Sequence, residues 1–430
     1  MQYQDVLARL VGARRFGVKL GLERMRELLD KLGKPDERLG LVIHVAGTNG
    51  KGSVVAMIAA LARAAGKRVA TYTSPHLSTL RERVTIDGEM TSEAAIVAAY
   101  ERVVAAGGDE LTFFEQVTAI AMLIIADARV DLTVLEVGLG GRLDATNVVA
   151  SPIAVVTGVA MDHEAILGDT LAKIAAEKAG IFKPGQHVIV GASGEDAAWW
   201  PLLEAARTAG ASAIEAVVYG VEGDPHDRWW VSLPGEAVDA TRIAGVRAPG
   251  PPTNLLGEHQ RANSAIAVAA IRAVGIPVVE DALLHVVHPG RFERAGELIL
   301  DGAHNPHGAR ALAAALRALQ LRPVLVLAVS ADKDVRAIVR ELAGSVTAIV
   351  ATRYQQDRAL EPAALAAICR ELVADVRIAD ALRGAVELAR TLGSPILVAG
   401  SLFIVGEARV AYLRAPADPV AVSDPPASTS

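Results

Sequence analysis

The sequence predicts two successive α/β domains, the first of them built on a doubly wound parallel sheet. Three observations support this fold class. The chain of 430 residues is too long for a single core of usual size. From Leu41 onward, short apolar segments alternate with segments of helical periodicity, as in a parallel sheet that is covered by helices. A second series of the same kind follows a proline–glycine boundary at residues 288–291 (HPGR).

The first series extends to about residue 191. Residues 1–40 are expected to form short helices, because FGVKLGLERMRELLDKLG at 16–33 carries apolar residues at helical spacing before Pro35. Strands are expected at 41–46, 68–74, 131–137, 152–158 and 186–191, and helices at 53–65, 92–106, 113–128 and 170–180. Ligands of such a sheet bind at the carboxyl ends of its strands.

The remainder divides into a less regular segment, a second domain and a tail. Residues 193–255 hold four tryptophans in two pairs, short β-like pieces and the proline-rich APGPPT, and they suggest no chemistry. A helix is expected at 256–275, and strands near 297–301, 324–330, 346–352, 375–379 and 395–400 form a smaller three-layer α/β domain. The predicted domains are therefore 1–288 and 289–414, followed by a proline- and serine-rich tail at 415–430 that is expected to be disordered.

Composition excludes several classes of function. The net charge of −6 and the absence of a lysine-rich block argue against a nucleic-acid partner. No apolar segment reaches the length of a membrane span, and the N-terminus lacks the apolar block of a signal peptide, which predicts a soluble protein with no membrane partner. The single cysteine, Cys369, rules out an internal disulfide and fits a reducing cytoplasm.

The central motif is GTNGKGS at residues 47–53, which lies between an apolar strand and a long apolar-rich helix. A strand, a glycine-rich turn and a helix in this order form a phosphate-binding loop, so an ATP site is predicted. Its residues are Gly47, Thr48, Asn49, Gly50, Lys51, Gly52 and Ser53. Gly52 stands where the standard pattern has a serine or threonine directly after the lysine. The alternative is an ordinary glycine-rich turn between a strand and a helix.

Polar residues at the ends of neighbouring strands are the candidate metal ligands. Glu136 ends the strand at 131–137 and would lie beside the phosphate loop, where a carboxylate can bind magnesium or activate water. The alternative for Glu136 is a structural ion pair. His163 follows the next strand, but magnesium prefers oxygen ligands, so chemistry alone favours a hydrogen-bonded structural histidine or a ligand of a softer ion. Ser74 could offer an oxygen, although TSPH alone indicates only a turn.

Three further features fall near the expected domain boundary or on a helix end. Lys178 lies near the C-terminal end of a helix, where a cation is favourable for electrostatic reasons alone. Asp301 begins the polar cluster DGAHNP after a strand of the second domain, and Asn263 and Arg291 lie on either side of the boundary. A cleft between the domains would bring these residues together.

These motifs resemble those of the folylpolyglutamate synthase and dihydrofolate synthase family, part of the ATP-dependent Mur ligase superfamily. The resemblance covers nearly the whole chain. Its segments are KLGLERM (19–25), VAGTNGKGS (45–53), TSPHL (73–77), FFEQVT (113–118), EVGLGGRLDATN (136–147), MDHEAILGDT (161–170), EKAGIFKPG (177–185), HQRAN (259–263), PGRF (289–292), DGAHNPHGA (301–309) and GSLFIVGEAR (400–409). The phosphate loop of this family has the same additional glycine at the position of Gly52.

The resemblance implies a P-loop-type ATPase domain, a Rossmann-like second domain and an ATP-dependent amide ligase. ATP would phosphorylate a pterin carboxylate, and the amine of L-glutamate would displace the phosphate. Lys51 and the loop amides would stabilise the transferred phosphoryl group with two Mg²⁺ ions. Ser74 and Glu136 would hold one ion, and Glu136 and His163 the other, with Ser53 at the loop. This implication reverses the interpretation of His163 given above.

The resemblance also implies the remaining roles. Lys178 would be carbamylated, and Asn263, Arg291 and Asp301 would bind ATP across a closing cleft. The pterin substrate would contact Ser74, Pro75, His76 and Phe114 in the first domain, and L-glutamate would meet the face of the second domain. The resemblance also favours a monomer.

The stretch GGRLDATN resembles that of bifunctional bacterial enzymes, which use dihydropteroate and then reduced folates. Asp144 is therefore the candidate pterin-side residue for the first reaction. The alternatives are a synthase that only extends folates, a Mur-type ligase of cell-wall precursors, and a nucleotide-binding regulatory protein without catalysis. The intact set of Lys51, Glu136, His163, Lys178 and Asp301 argues against the last alternative.

Overall fold

The computed structural model describes residues 1–13, 21–191, 194, 196–217, 243–245 and 251–420. Trp229, Trp230, the start of the helix predicted at 16–33, and the end of the predicted tail lie outside these residues. The described residues form two mixed α/β sheets, each dominated by parallel strands.

The first sheet has nine strands among the described residues, in the spatial order β4-β3-β2-β5-β1-β6-β7-β8-β9. They are β1 (Leu41–Ala46), β2 (Val69–Tyr72), β3 (Val84–Ile86), β4 (Glu89–Met90), β5 (Leu132–Glu136), β6 (Ile153–Val156), β7 (His187–Gly191), β8 (Ala213–Val217) and β9 (Ile243–Gly245). The pairs β2–β3 and β3–β4 are antiparallel, and all the other neighbouring pairs of this sheet are parallel. The five strands that the sequence predicted in this domain are confirmed. The β3–β4 hairpin was not predicted, and β8 and β9 arise from the less regular segment at 193–255.

Helices cover both faces of this sheet. They are α1 (Tyr3–Ala13), α2 (Glu23–Lys31), α3 (Lys51–Ala64), α4 (Glu93–Ala105), α5 (Phe113–Ala128), α6 (Glu164–Leu167), α7 (Leu171–Ala179), α8 (Trp199–Thr208) and α9 (Glu258–Ala273). Alternate residues of β1 pack on opposite faces: Val42 belongs to the core under α1, α2, α4 and α5, whereas Ile43 and Val45 belong to the core under α3 and α9. This alternation follows from the two-residue period of a strand and gives the doubly wound arrangement.

The second sheet begins at Glu293 and has the order β10-β11-β15-β12-β13-β14 in the described residues. Its strands are β10 (Glu293–Ala295), β11 (Leu298–Leu300), β12 (Val324–Leu327), β13 (Ala348–Ala351), β14 (Val376–Ile378) and β15 (Ile396–Ala399). All pairs are parallel except β10 with β11. The helices are α10 (Pro306–Ala318), α11 (Val335–Ala343), α12 (Pro362–Arg370), α13 (Leu382–Leu392) and α14 (Leu402–Leu413). The first three pack on one face and the last two on the other.

Two details differ from the prediction. Helix α3 begins at Lys51 rather than at 53, because Gly50 adopts a left-handed conformation (φ 83°) that serves as its N-cap. The tail predicted to be disordered is held at residues 415–420: Asp418 accepts hydrogen bonds from Tyr3 and Thr79 of the first domain. Composition suggested disorder there because it does not register contacts with distant parts of the chain.

Candidate active site

A cavity of about 960 Å³ opens at the carboxyl ends of β1, β2, β5 and β6, and both domains line it. The first domain contributes the phosphate loop, Glu136, His163 and Lys178, and the second contributes Arg291, Asp301 and Lys333. Of the predicted site residues, all but one line this cavity. The exception is His76, which is 6% exposed and accepts a hydrogen bond at Nδ1 from Arg83 Nε at 2.9 Å, within its own loop.

The phosphate loop is folded tightly against the sheet. A side chain at Gly47 (φ 147°) would overlap Thr157 Oγ1, and one at Gly50 would place its Cβ 2.6 Å from Asn263 Oδ1. Thr48 Oγ1 donates to Ala160 O at 3.1 Å and accepts from Ala160 N at 3.0 Å. These contacts fix the turn, and they explain why glycine is required at two of its positions.

Gly52, the departure from the standard phosphate-loop pattern, has a structural reason. A Cβ at this position would lie 2.9 Å from Cε1 and 3.0 Å from Nε2 of His288, and 3.7 Å from Glu136 Oε2. His288 begins the HPGR boundary between the domains, so the phosphate loop and the boundary are in contact at this point. Ser53 is 2% exposed directly behind Gly52.

Lys51 and Glu136 form the charged centre of the site. Lys51 Nζ donates to the carbonyls of Gly47 and Thr48 at 3.2 and 3.3 Å, and it lies 4.0 Å from Glu136 Oε1. Burial raises the pKa of the Glu136 carboxyl, and the Lys51 ammonium opposes that rise. The ion pair considered as the alternative for Glu136 is thus present, but its charged atoms are 4.0 Å apart, which is too far for a hydrogen bond.

Ser74 lies beside Glu136, as the resemblance implies. Its backbone N–H donates to Glu136 Oε2 at 3.3 Å, whereas its own Oγ is buried without a hydrogen-bond partner. A buried hydroxyl without a partner is costly unless a ligand meets it. The pair of oxygens therefore fits a hard divalent cation such as Mg²⁺.

No group of three or more His, Cys, Asp and Glu side chains that could hold a metal occurs within the described ranges. A metal at Glu136 and Ser74 would thus depend on oxygens from elsewhere, such as nucleotide phosphates and water, which is the usual situation for Mg²⁺.

Lys178 is buried at 4% exposure and its Nζ donates to the carbonyl of Gly47 at 3.1 Å. Burial, reinforced by the Lys51 ammonium, lowers the pKa of Lys178 from 10.5 to about 7. The simple interpretation of Lys178 as a cation at a helix end does not account for this environment. A lysine with so low a pKa is partly a neutral amine at physiological pH.

His163 adopts a left-handed backbone conformation (φ 52°), and its Nε2 lies 4.0 Å from Asp162 Oδ1. Burial lowers the pKa of its imidazole to about 4, so the ring is neutral and could act as a metal ligand. It shares the cavity with Glu136, and a metal shared between the two stays a prediction.

Asp162 is a site residue that sequence reasoning missed. Its carboxylate accepts from Lys333 Nζ at 2.6 Å and from Asn305 Nδ2 at 2.9 Å, and both of these donors belong to the second domain. Asn305 also donates to Asn49 Oδ1 of the phosphate loop at 3.1 Å. Burial alone would raise the pKa of Asp162, but the neighbouring His163, His304 and Lys333 lower it below its ordinary value. The sequence signal was available, since Lys333 lies in ADKD directly after a strand of the second domain.

Asp301, Arg291 and His304 shape the wall that the second domain contributes. Asp301 accepts from the backbone N–H groups of Phe292 and Ala303, each at 2.9 Å. A side chain at Gly302 would overlap Arg291 Nη1, so the guanidinium lies directly against the backbone here. The ring of His304 contacts Gly302 O through Nδ1 at 2.7 Å, while its Nε2 lies 4.0 Å from Asp162 Oδ2. Asn263 Oδ1, on α9, is buried without a hydrogen-bond partner, and it lies against Gly50 of the phosphate loop.

An aromatic and glycine-rich wall occupies the opposite side of the cavity. The Phe114 ring lies against Gly138, where a side chain would overlap it, and its centroid is 6.3 Å from that of Tyr72. Asp144 accepts from the N–H groups of Gly138 (3.0 Å), Leu139 (2.9 Å) and Thr146 (3.0 Å), and from Thr146 Oγ1 (2.5 Å). Its carboxylate is thus already engaged in ordering the glycine-rich loop that faces the cavity.

A phosphate loop beside a buried carboxylate and a buried lysine, closed over by a second α/β domain, defines an ATP-dependent ligase of the Mur type. The comparisons agree: residues 45–271 match the Mur ligase middle domain, and residues 290–402 match the Mur ligase glutamate ligase domain. A dihydrofolate synthase/folylpolyglutamate synthase of Mycobacterium tuberculosis is 34% identical, over 92% of this chain and 90% of the relative. The chain belongs to the dihydrofolate synthase/folylpolyglutamate synthase family.

Solved structures and other relatives are consistent with this assignment. The Escherichia coli FolC structure in complex with DHPP and ADP is 30% identical with a TM-score of 0.81, covering 96% of this chain and 99% of that one. A bifunctional folylpolyglutamate synthase/dihydrofolate synthase with Mn, AMPPNP and L-glutamate bound is 30% identical with a TM-score of 0.79, covering 96% and 100%. A probable bifunctional folylpolyglutamate synthase/dihydropteroate synthase of Haloferax volcanii is 36% identical over 96% of this chain, but the chain spans only about half (51%) of that relative's length. None of the helices searched in the described ranges could cross a membrane.

Proposed function

We propose that this chain is an ATP-dependent ligase that joins L-glutamate to dihydropteroate, giving dihydrofolate, and also to reduced folates. The observation that carries the proposal is the convergence of Lys51, Glu136 and Lys178 on the phosphate loop, inside a cavity that the second domain closes with Arg291 and Lys333. Such a cavity can hold ATP, a carboxylate acceptor and an amine donor together. The family membership supports the choice of these substrates.

The reaction would proceed through an acyl phosphate. The acceptor carboxylate attacks the γ-phosphorus of ATP and ADP leaves; the glutamate amine then attacks the acyl carbon and inorganic phosphate leaves. In this chain, Lys51 and the loop amides neutralise charge on the transferred phosphoryl group. Asn263, Arg291 and Asp301 hold the nucleotide across the cleft.

Ser74, Glu136 and His163 would hold two Mg²⁺ ions, which neutralise the phosphate oxygens. Manganese and a nucleotide analogue were bound in a structure of a relative, which supports a divalent metal. Replacing Ser74 by alanine should weaken divalent-metal binding to the ADP complex, measured by Mn²⁺ titration under electron paramagnetic resonance.

We further propose that Lys178 is carbamylated in the working enzyme. Its amine is buried beside Gly47 and has a pKa near 7, which leaves a neutral nitrogen able to react with CO₂. Carbon-13 NMR with ¹³C-bicarbonate should show a carbamate signal that is lost in Lys178→Ala. A small carboxylate such as acetate should partly restore turnover to that variant; an inert variant without rescue, and no carbamate signal in the parent, would count against the modification.

The acceptor would lie along Ser74, Pro75 and Phe114, since these residues line the first-domain side of the cavity. Asp144 would serve this site through the glycine-rich loop that it orders rather than by direct contact. L-glutamate would meet the second-domain face, where Lys333 offers an ammonium group at the cavity wall. We also propose a monomeric protein of the cytoplasm, which size-exclusion chromatography and cell fractionation test.

The test is phosphate release from MgATP and L-glutamate with dihydropteroate or with tetrahydrofolate as the acceptor. Turnover with both supports the bifunctional enzyme. Turnover with tetrahydrofolate alone indicates a synthase that only extends folates, and turnover with neither reopens the assignment to a cell-wall ligase.

A further inference from the structure

The chain crosses back from the second domain to the first after its last described helix. Helix α14 ends at Leu413, Arg414 turns the backbone with φ 55°, and Ala415 N still bonds to Arg409 O at 3.2 Å. Within four more residues, Asp418 is hydrogen bonded to the first domain. Residues 415–420 are called the strap below. No sequence motif predicted this segment or its contacts.

Asp418 anchors the strap, because its carboxylate accepts three hydrogen bonds from the first domain. Its Oδ1 accepts from Tyr3 Oη at 2.9 Å and from Thr79 Oγ1 at 2.6 Å, and its Oδ2 accepts from Leu80 N at 2.7 Å. Its backbone N–H donates to Ser78 O at 3.1 Å, and Ser78 Oγ donates to Pro416 O at 2.7 Å. Hydrogen bonds to an ionised carboxylate are among the stronger ones in proteins, and the five hydrogen bonds of Pro416 and Asp418 define one register of the strap.

Apart from Tyr3 of α1, these hydrogen-bond partners of the strap lie in the loop at residues 73–83, which carries Ser74 and Pro75. Thr79 is the N-cap of a 3-10 helix, Leu80–Arg83, in a capping box with Glu82. That short helix is tied back to the start of the loop, because Arg83 O accepts from Thr73 N at 2.9 Å and Arg83 Nε donates to His76. A shift at Thr79 or Leu80 is therefore transmitted to the residues that face the cavity.

The second domain also contacts this loop at Leu77. A side chain at Gly406 of α14 would overlap the carbonyl of Leu77, so helix and loop are in backbone contact. The loop is held between α14 on one side and the strap on the other, and Pro416 of the strap itself lines the cavity. The strap is thus part of the wall around the space that Ser74 and Pro75 face.

From this geometry we infer that Asp418 is a positioning residue for the acceptor substrate, acting through the loop at 73–83. The inference rests on the proposed function, because it takes Ser74 and Pro75 as acceptor contacts. The phosphate loop at 47–53 has its own anchors, Thr48 to Ala160 and Thr157 to Asn49, and none of the hydrogen bonds of Asp418 described above involves it. Loss of the strap should therefore weaken acceptor binding and leave the binding of metal-free ADP unchanged.

The experiment compares steady-state kinetics of the full chain with those of Asp418→Ala and of a chain ending at residue 414. Both variants should raise the KM for the acceptor about tenfold, since several charge-assisted hydrogen bonds that order the loop are lost. The Kd for ADP without divalent metal should change by less than about twofold, because the phosphate loop keeps its own anchors. The KM for MgATP is expected to rise less than the acceptor KM, since Ser74, a proposed metal ligand, lies in the disturbed loop. Asp380→Ala, at an exposed position of the second domain, is the matched control, and a chain ending at residue 420 is the control for the truncation.

Two further variants test whether Asp418 acts through the hydrogen bonds described above. Tyr3→Phe removes one of the three donors to the carboxylate and should have a smaller effect, and the double variant Tyr3→Phe/Asp418→Ala should be no worse than Asp418→Ala alone. Melting temperatures are recorded for all variants. A fall in melting temperature without a change in acceptor KM, or an equal rise in the acceptor KM and in the Kd for metal-free ADP, would overturn the inference and reduce the strap to a structural clamp. All of these effects are measured relative to the unmodified chain. If the unmodified chain used neither dihydropteroate nor tetrahydrofolate, that result would refute the proposed function rather than this inference.

Discussion

The buried Lys178 leads to a prediction in which stability and activity change in opposite directions. Replacing it with methionine, which is similar in length and uncharged, removes the titratable amine of a residue that is 4% exposed. Lowering its pKa from 10.5 to about 7 means that the folded state binds this proton less tightly than the unfolded chain does. At about 1.4 kcal/mol per pKa unit, the charged lysine destabilises the fold by about 5 kcal/mol at and below pH 7.

The pKa values of Lys178 in the unfolded and folded states also determine how the stability of the parent changes with pH. Between about pH 7 and 10.5 the folded state has released the proton while the unfolded state retains it, so the stability of the parent rises with pH in this window. Methionine also loses the hydrogen bond to Gly47 O, which costs roughly 1–2 kcal/mol. Lys178→Met should therefore be more stable than the parent by about 3 kcal/mol at pH 7, and no more stable than the parent near pH 10.5.

The assay is guanidinium unfolding followed by tryptophan fluorescence, in CO₂-free buffer. Trp199 and Trp200 begin α8, which shares a hydrophobic core with the helix that carries Lys178, so their fluorescence reports the unfolding of that domain. Lys173→Met, at an exposed lysine of the same helix, is the matched control and should change the unfolding free energy by less than about 0.5 kcal/mol. A destabilised Lys178→Met at pH 7, or a difference that does not shrink as the pH rises, would refute the reasoning. The variant should nevertheless lose ligase turnover.

Three further predictions concern the cavity. Gly52→Ala should raise the KM for ATP about tenfold, because its Cβ would lie 2.9 Å from His288 Cε1 and displace either the ring or the loop; Gly384→Ala, where a Cβ meets nothing within 4 Å, should leave ATP turnover unchanged, and equal kinetics for the two variants would contradict the steric account. Glu136→Gln should lower kcat by roughly 10²–10³-fold while ADP still binds in calorimetry, since it removes the carboxylate but keeps the shape; near-normal kcat would argue against a role at the transferred phosphate. Asp144→Ala should lower the unfolding free energy by about 3 kcal/mol and reduce turnover with dihydropteroate and tetrahydrofolate alike, because it leaves the donors of the glycine-rich loop unpaired, whereas a loss confined to dihydropteroate would indicate direct contact with that substrate.

Local patterns predicted much of the fold and the centre of the site. The apolar run at Leu41–Ala46 followed by GTNGKGS has a single good local solution, a strand, a tight turn and a helix, and the structure has it. Glu136 could be placed beside Lys51 because both follow parallel strands that are neighbours in the sheet. The period of the apolar residues and the glycine-rich turn are properties that a short window of sequence records, whereas the spatial order of the strands is not.

Contacts between distant segments were not predictable in the same way. Asp162 meets Lys333 across 171 positions of sequence, and Thr79 meets Asp418 across 339. Lysine and aspartate at such positions look like ordinary surface residues until the two domains are placed together. The tail illustrates the same limit, because its proline-rich composition suggests disorder while one carboxylate with three donors holds it in place.

His76 and Asp144 show a second limit. The resemblance placed both at the pterin site, and both lie in loops that border the cavity. In the structure, His76 bonds to Arg83 inside its own loop and Asp144 is occupied by backbone N–H groups. A motif identifies which loops matter, but only the hydrogen-bond partners separate a residue that shapes a loop from one that could meet a ligand.

The measurement that tests the central claim most directly is the transfer of oxygen from acceptor to phosphate. Dihydropteroate labelled with ¹⁸O in its carboxylate is incubated with the full chain, MgATP and L-glutamate, and the released phosphate is analysed by mass spectrometry. An acyl phosphate formed in this cavity predicts one ¹⁸O atom in each phosphate released. Turnover that releases only unlabelled phosphate would contradict the account, because the carboxylate oxygen would never have been bonded to phosphorus.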